Sequence, residues 1–291
     1  MNIGIIGLGL IGGSFGRAIT SKTDNKVYGI ALHESTMQKA ELCKAINFRL
    51  TKENAKELDM LIITLYPRAI EEALDEWVPY LKKGCIVVDC GGTKRSICKK
   101  MLDMHKKYPD IIFMGGHPMA GREFSGFSHS QASLFEKATM LIVPIKAPIE
   151  ALVTMKDFAT SIGFEGIVIT TPQEHDEMIS FTSQLAHIVS SSYIKNPLAT
   201  THYGFSAGSF RDMTRVARLN PQMWSELMLE NKDYLVDQID NLQDNLEAFK
   251  QALSNNDKEE LEKLLDEGRI AKEEVESLRA KKLQERIKNG N

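Results

Sequence analysis

A β-branched run at the start of the chain, Ile3-Gly4-Ile5-Ile6, leads straight into Gly7-Leu8-Gly9-Leu10-Ile11-Gly12 and then into a stretch of helical character. Strand, GxGxxG and helix in that order constrain the fold more than any other feature. A tight turn needs the first glycine, close backbone approach to a pyrophosphate needs the second, and packing of helix on strand needs the third. The helix start then offers unpaired N–H groups and a positive dipole end to phosphates. Residues Gly7, Leu8, Gly9, Leu10, Ile11 and Gly12 are therefore the candidate dinucleotide site. The competing reading is a glycine turn without a ligand.

Downstream, short apolar runs alternate with longer amphipathic stretches, the pattern of parallel strands joined by crossover helices. Strands are expected at Ile3 to Ile6, Lys26 to Ile30, Met60 to Thr64, Cys85 to Asp89, Ile111 to Met114, Met140 to Val143 and Gly166 to Thr170. Helices are expected to start near Gly13, Ser35, Ala69, Lys94 and Pro148. The fold class is α/β, with a Rossmann-type doubly wound parallel sheet over residues 1–171. After Thr171-Pro172 the strand signal stops, and 172–291 reads as an all-α domain with helices near 175–195, 209–217, 221–254 and from 257. Two domains suit a length of 291 residues.

The 36 basic and 39 acidic side chains leave a net charge of -3, too little field to hold nucleic acid or a membrane surface. No apolar run is long enough to span a bilayer, and the first residues lack the basic start of a signal peptide. Cys43, Cys85, Cys90 and Cys98 show no CxxC spacing and no paired histidines, so they read as reduced thiols of a cytosolic chain and no metal site is expected. Charge instead concentrates at one end, where residues 257–288 carry ten acidic and nine basic side chains. Leu261, Leu264, Ala271, Val275 and Leu278 form a narrow stripe there, interrupted by Gly268 and Lys282. It suits a helix lying on a partner surface or a solvated terminal helix.

An acid about 20 residues after the glycines would grip a ribose 2′-hydroxyl. Val27-Tyr28-Gly29-Ile30 is followed instead by Ala31-Leu32-His33-Glu34, which leaves Glu34 as a displaced substitute. No arginine near this point is available for a 2′-phosphate. NAD is favoured, and NADP is not excluded. Further on, Gly115-Gly116-His117-Pro118-Met119-Ala120-Gly121-Arg122-Glu123-Phe124-Ser125-Gly126 follows the fifth expected strand. Ligands of open α/β sheets bind beyond the carboxyl ends of strands, so a loop histidine there faces the crevice and is a candidate acid/base. An unperturbed His117 would make kcat/KM rise as pH passes about 6.5.

With these segments in place the chain resembles the prephenate dehydrogenase family, which includes arogenate dehydrogenases. The likeness rests on GLGLIGGS, on GGHPMAGxExSG, on His175-Asp176 with His187 twelve residues later, and on Phe210-Arg211-Asp212-Met213-Thr214-Arg215-Val216-Ala217 leading to Pro221-Gln222-Met223-Trp224. It implies oxidative decarboxylation of prephenate to 4-hydroxyphenylpyruvate, or of arogenate to tyrosine, within tyrosine biosynthesis. His117 matches the family's catalytic histidine and Arg215 the arginine that holds a substrate carboxylate, as a planar guanidinium fork suits. Many members carry a serine in a GS-x-K segment that here reads Gly91-Gly92-Thr93-Lys94, which leaves Thr93 as the candidate substitute hydroxyl.

Ser183, Gln184 and His187 fall at i, i+1 and i+4 of an expected helix, so Ser183 and His187 share a face; the three are either a satisfied interhelical network or, as the resemblance implies, a substrate-pocket wall. Arg211, Asp212 and Glu123 either pair across the pocket mouth or lie solvated. Trp224 belongs to the helical core or to the site, and His175-Asp176 reads as a polar helix start. The family's helical domains imply a homodimer. If tyrosine inhibits such an enzyme, it competes at the active site. A hydroxyacid dehydrogenase or imine reductase is disfavoured by the GGHPMAG and FRDMTR segments. A non-catalytic dinucleotide sensor would bind NAD(H) without turning over prephenate.

Overall fold

The structure is a computed structural model describing residues 1–288, with side chains at 282, 283 and 285–288 left aside. The reading of Lys282 as a break in the terminal stripe falls outside the described side chains. One eight-stranded sheet organises the first part of the chain. Its strands are β1 (Asn2–Ile6), β2 (Lys26–Ile30), β3 (Phe48–Arg49), β4 (Met60–Ile63), β5 (Ile86–Asp89), β6 (Ile112–Pro118), β7 (Thr139–Ile145) and β8 (Gly166–Ile169), in the spatial order 3-2-1-4-5-6-7-8.

Both faces of this sheet are covered, and the strand sequences show why. Ile3, Ile5, Met60, Ile62 and Val88 join one buried cluster, while Ile6, Leu61, Ile63 and Val87 join the other. Successive side chains point to opposite faces, so near-continuous apolar runs are what a sheet buried on both sides requires. The helices α1 (Leu10–Lys22), α2 (Glu34–Leu42), α3 (Pro67–Trp77), α4 (Arg95–Lys107) and α5 (Ile149–Ser161) make the crossovers.

Two strand features depart from expectation. The two-residue β3 is too short and too exposed to leave a periodic signal. More consequentially, β6 and β7 are antiparallel, with Gly116 opposite Ile142 and His117 opposite Leu141. Parallel neighbours need a crossover of a dozen or more residues, usually a helix. The link from Met119 to Ala138 holds only a short 3-10 turn at Phe127–His129, so the chain returns beside itself.

Beyond Thr171 the chain is helical, as expected, but more broken. Pro172 occupies the first turn of α6 (Pro172–Ile179), and the Thr171 side chain caps it by accepting from the Glu174 N–H at 3.2 Å. A π-helical turn at Ser180–Leu185 separates α6 from α7 (Ala186–Tyr193). α8 (Gly208–Thr214) leads into a 3-10 turn at Arg215–Ala217, and α9 (Pro221–Glu230) is capped by Asn220. Asn231 then interrupts the expected long helix before α10 (Lys232–Ser254), and α11 (Lys258–Lys288) follows.

Packing groups Met1–Leu235 into one compact unit and the described residues from Val236 onward into another. In the second unit Asn256 takes a left-handed φ of 53° at the end of α10, and Asp257 caps α11 by accepting from Glu260 N–H at 3.0 Å. Val275 and Leu278 of the terminal stripe are exposed. Among the described residues no helix is long and apolar enough to cross a membrane, and no cluster of His, Cys, Asp and Glu could hold a metal.

Candidate active site

The glycine turn has the geometry its sequence predicts. Gly7 has a φ of +92°, and a Cβ there would lie 2.7 Å from the Thr64 carbonyl oxygen. A Cβ on Gly12 would fall 1.9 Å from the Gly7 carbonyl oxygen, so the first turn of α1 can pack on the strand end only without one. Around Gly9, the residue preceding α1, a Cβ would meet nothing within 4 Å. Leu10, Ile11 and Gly12 present first-turn N–H groups beside that open space, a cradle that fits a dinucleotide pyrophosphate.

His117 lies on strand β6 rather than on a loop. Pairing between β5 and β6 ends at Val88 and Met114, while β6 runs on to Pro118 along β7, so its last residues project past the end of β5. Gly116 permits this close passage: a Cβ there would lie 2.5 Å from the Asp89 carbonyl oxygen, and its N–H donates to Asp89 Oδ1 at 3.1 Å. Asp89 also accepts from Gly91 N–H at 2.7 Å and forms a fully buried ion pair with Lys94. The loop and strand under His117 are thus tied through one carboxylate.

The sequence reading missed the partner of His117. Its Nδ1 lies 2.9 Å from His175 Nε2, and His175 Nδ1 lies 2.8 Å from Asp176 Oδ1. Asp176 Oδ1 accepts from the Lys94 N–H at 2.7 Å, and Oδ2 accepts from Arg95 N–H at 2.9 Å and Nε at 3.2 Å. Burial pushes the Asp176 carboxyl up, but hydrogen bonds from His175 and the start of α4 outweigh it and hold it below the usual range. An ionised Asp176 takes the His175 Nδ1 proton as its hydrogen bond, which leaves His175 Nε2 to accept from His117 Nδ1–H. The lone pair of His117 then sits on Nε2.

Burial, the facing His175 and the Lys94 charge hold His117 well below its usual pKa. An imidazole so placed is neutral near pH 7, so a rise in kcat/KM set by its titration is expected at lower pH than 6.5. His175-Asp176, read from sequence as a polar helix start, does lie near the start of α6, and it also carries the contact with His117. The available signal was the HD dipeptide one turn inside α6, where both side chains are almost wholly buried.

The other candidates divide. Arg215 forms an ion pair with Glu123, and Arg211 and Asp212 make no ion pair with it among the described residues. The partner of Glu123 is therefore Arg215 and not Arg211. A short backbone contact of its own and the Arg215 guanidinium keep Glu123 ionised below its usual range. His187 has Nδ1 3.0 Å from the Val216 carbonyl oxygen, and its ring packs on Trp224 with centroids 4.0 Å apart. Burial lowers its pKa, so it too is a neutral donor. Gln184 is buried, its amide donating to Leu227 O at 3.1 Å and accepting from Asn231 Nδ2 at 2.8 Å. It serves the interhelical network, while Ser183 falls in the π turn, where the four-residue face shared with His187 no longer applies.

Thr93 is engaged elsewhere: its hydroxyl donates to Glu230, a residue exposed overall whose carboxyl is desolvated enough to raise its pKa. A Cβ at Gly92, the expected serine position, would lie 3.0 Å from Leu227 Cδ2. The cofactor end differs as well. Glu34 is the first residue of α2, and Arg49, brought in by the unforeseen β3, donates to it at 2.7 and 2.9 Å and to Glu41 at 2.6 and 2.9 Å.

The chain is similar to several known proteins. A family model described as prephenate dehydrogenase, nucleotide-binding domain, matches residues 15–178, and one described as prephenate dehydrogenase, dimerization domain, matches 171–267. A cyclohexadienyl dehydrogenase of Zymomonas mobilis is 30% identical over 88% of this chain and 89% of that protein. A prephenate dehydrogenase of Bacillus subtilis is 31% identical over 81% of this chain and 66% of that protein. The crystal structure of a prephenate dehydrogenase from Aquifex aeolicus with hydroxyphenyl propionate and NAD+ has a TM-score of 0.81 at 25% identity, covering 94% of this chain and 98% of that chain. An arogenate dehydrogenase from Synechocystis shares the fold, with a TM-score of 0.79 at 23% identity over 94% and 100% of the two chains.

Proposed function

Because the chain belongs to the prephenate dehydrogenase family, we propose that it oxidatively decarboxylates prephenate to 4-hydroxyphenylpyruvate and carbon dioxide with NAD+ as hydride acceptor. The observation that carries this reading is the His117–His175–Asp176 chain, which fixes a neutral imidazole at the carboxyl end of the sheet. The bound nicotinamide supplies the hydride acceptor, and the residues of the glycine turn would hold its pyrophosphate.

The protein's own part is proton handling and positioning. His117 Nε2 accepts the ring hydroxyl proton as the hydride leaves the carbon bearing it. The carboxylate carbon bond breaks, its electron pair makes the ring aromatic, and carbon dioxide departs. The resulting phenolate regains the proton from His117, so no net proton is released. His175 spreads the transient positive charge toward Asp176. Arg215, freed from Glu123, offers its planar fork to a substrate carboxylate. His187 and Trp224 form the wall toward the substrate side chain.

Arogenate is the second reading, motivated by the names of the Zymomonas and Synechocystis relatives. The domain boundary we favour remains at 171/172, supported by a dimerisation-domain match beginning at 171. That match and the exposed apolar residues of α11 support a homodimer. Tyrosine, if it inhibits, competes with substrate. The free cysteines suit a cytosolic setting. Steady-state assays crossing prephenate and arogenate with NAD+ and NADP+ test the proposal. Reduction of NAD+ driven by prephenate is expected, and turnover of neither substrate would overturn it.

A further inference from the structure

We propose that Glu34 and Glu41 hold Arg49 as a masked 2′-phosphate site, so that this chain selects NAD+ against NADP+ by a charge cluster rather than by an acid at the end of β2. The inference rests on the dinucleotide reading of the glycine turn. That turn and the end of β2 form one surface, because the Gly7 N–H donates to the Ile30 carbonyl at 2.9 Å. Register places Arg49 beside Gly29, one residue before that carbonyl, and Glu34 opens α2 three residues after Ala31.

At this end of β2 an acid grips the ribose 2′-hydroxyl of NAD, and an arginine accommodates the 2′-phosphate of NADP. Here both residue types are present but already paired. Arg49 spends four of its five N–H donors on four carboxylate oxygens, two from each glutamate. The cluster carries two negative charges against one positive. A 2′-phosphate arriving there meets excess negative charge and no free fork. A 2′-hydroxyl meets carboxylate oxygens, each with a lone pair to spare, and Glu34 can accept from it without releasing Arg49.

The test is direct binding of NADH and NADPH, followed by nicotinamide fluorescence, to the full chain and two variants. NADH binding by the unaltered protein establishes the dinucleotide site independently of selectivity. NADPH is expected to bind at least about tenfold more weakly, with the gap narrowing as salt rises. In E34Q/E41Q the arginine is unmasked, so NADPH should tighten at least about tenfold while NADH weakens a few-fold. R49A leaves both acids uncompensated and should weaken NADPH further. Equal affinities in the unaltered protein, or NADPH binding unmoved in E34Q/E41Q, would overturn the proposal.

Discussion

His117 Nδ1 and His175 Nε2 lie 2.9 Å apart, and His175 is itself pinned at 2.8 Å to Asp176. Two imidazoles in contact cannot both be charged comfortably, and the chain of contacts to Asp176 fixes which nitrogen of His117 is basic.

His175→Ala removes that acceptor. The kcat should fall by about 10- to 100-fold, since orienting partners of a catalytic imidazole act on this scale. The pH profile separates orientation from simple loss of packing. In the parent the acid limb of kcat/KM should lie below pH 6.5, because burial lowers the folded pKa of His117. Burial, the first cause of the depression, remains without His175, but the acceptor of the His117 Nδ1–H is gone, so the limb should shift while staying below 6.5. An unmoved limb would show that His175 does not bear on His117.

Arg215 is held by Glu123 at the protein surface before substrate arrives. Arg215→Ala should raise KM by about 10- to 100-fold with a smaller change in kcat, the signature of lost ground-state carboxylate binding. A large kcat loss at constant KM would contradict that assignment.

The Thr93 hydroxyl donates to Glu230. Thr93→Val should therefore cost about 1 to 2 kcal/mol of stability, by leaving a desolvated carboxyl without its donor, and keep kcat within a few-fold. A hundredfold loss of kcat at unchanged stability would restore Thr93 as the substitute for the missing serine.

Asn231 is fully buried where α9 meets α10. Its amide donates to Asp176 O and Gln184 Oε1, both at 2.8 Å, and accepts from Arg95 at 2.9 Å. Asn231→Ala leaves several buried groups unpaired and should cost about 2 to 3 kcal/mol, read as a lower urea midpoint at unchanged slope. A midpoint within error of the parent would show that the break before α10 carries no stability.

Much of this was legible in the residues because the signals were local. Short apolar runs marked seven strands, and the GxGxxG turn carried its own geometric requirement at Gly7 and Gly12. The antiparallel β6–β7 pair leaves a weaker trace, the lack of any helical stretch between Gly115 and Ala138, since a gap without a helix does not by itself set a strand direction. What stayed hidden was long-range. The His117–His175 contact joins residues 58 positions apart, Thr93 meets Glu230 across 137, and Arg49 meets Glu34 only because the two-residue β3 pairs with β2. No periodicity encodes those meetings. The π turn misled in another way, since an i, i+4 argument for Ser183 and His187 assumes an unbroken α-helix.

Steady-state kinetics of His117→Asn on prephenate and NAD+ test the central claim most directly. Asparagine keeps a polar side chain but supplies no base, so kcat should fall by about 10² to 10⁴ while NADH still binds. A kcat within a few-fold of the parent would contradict the account.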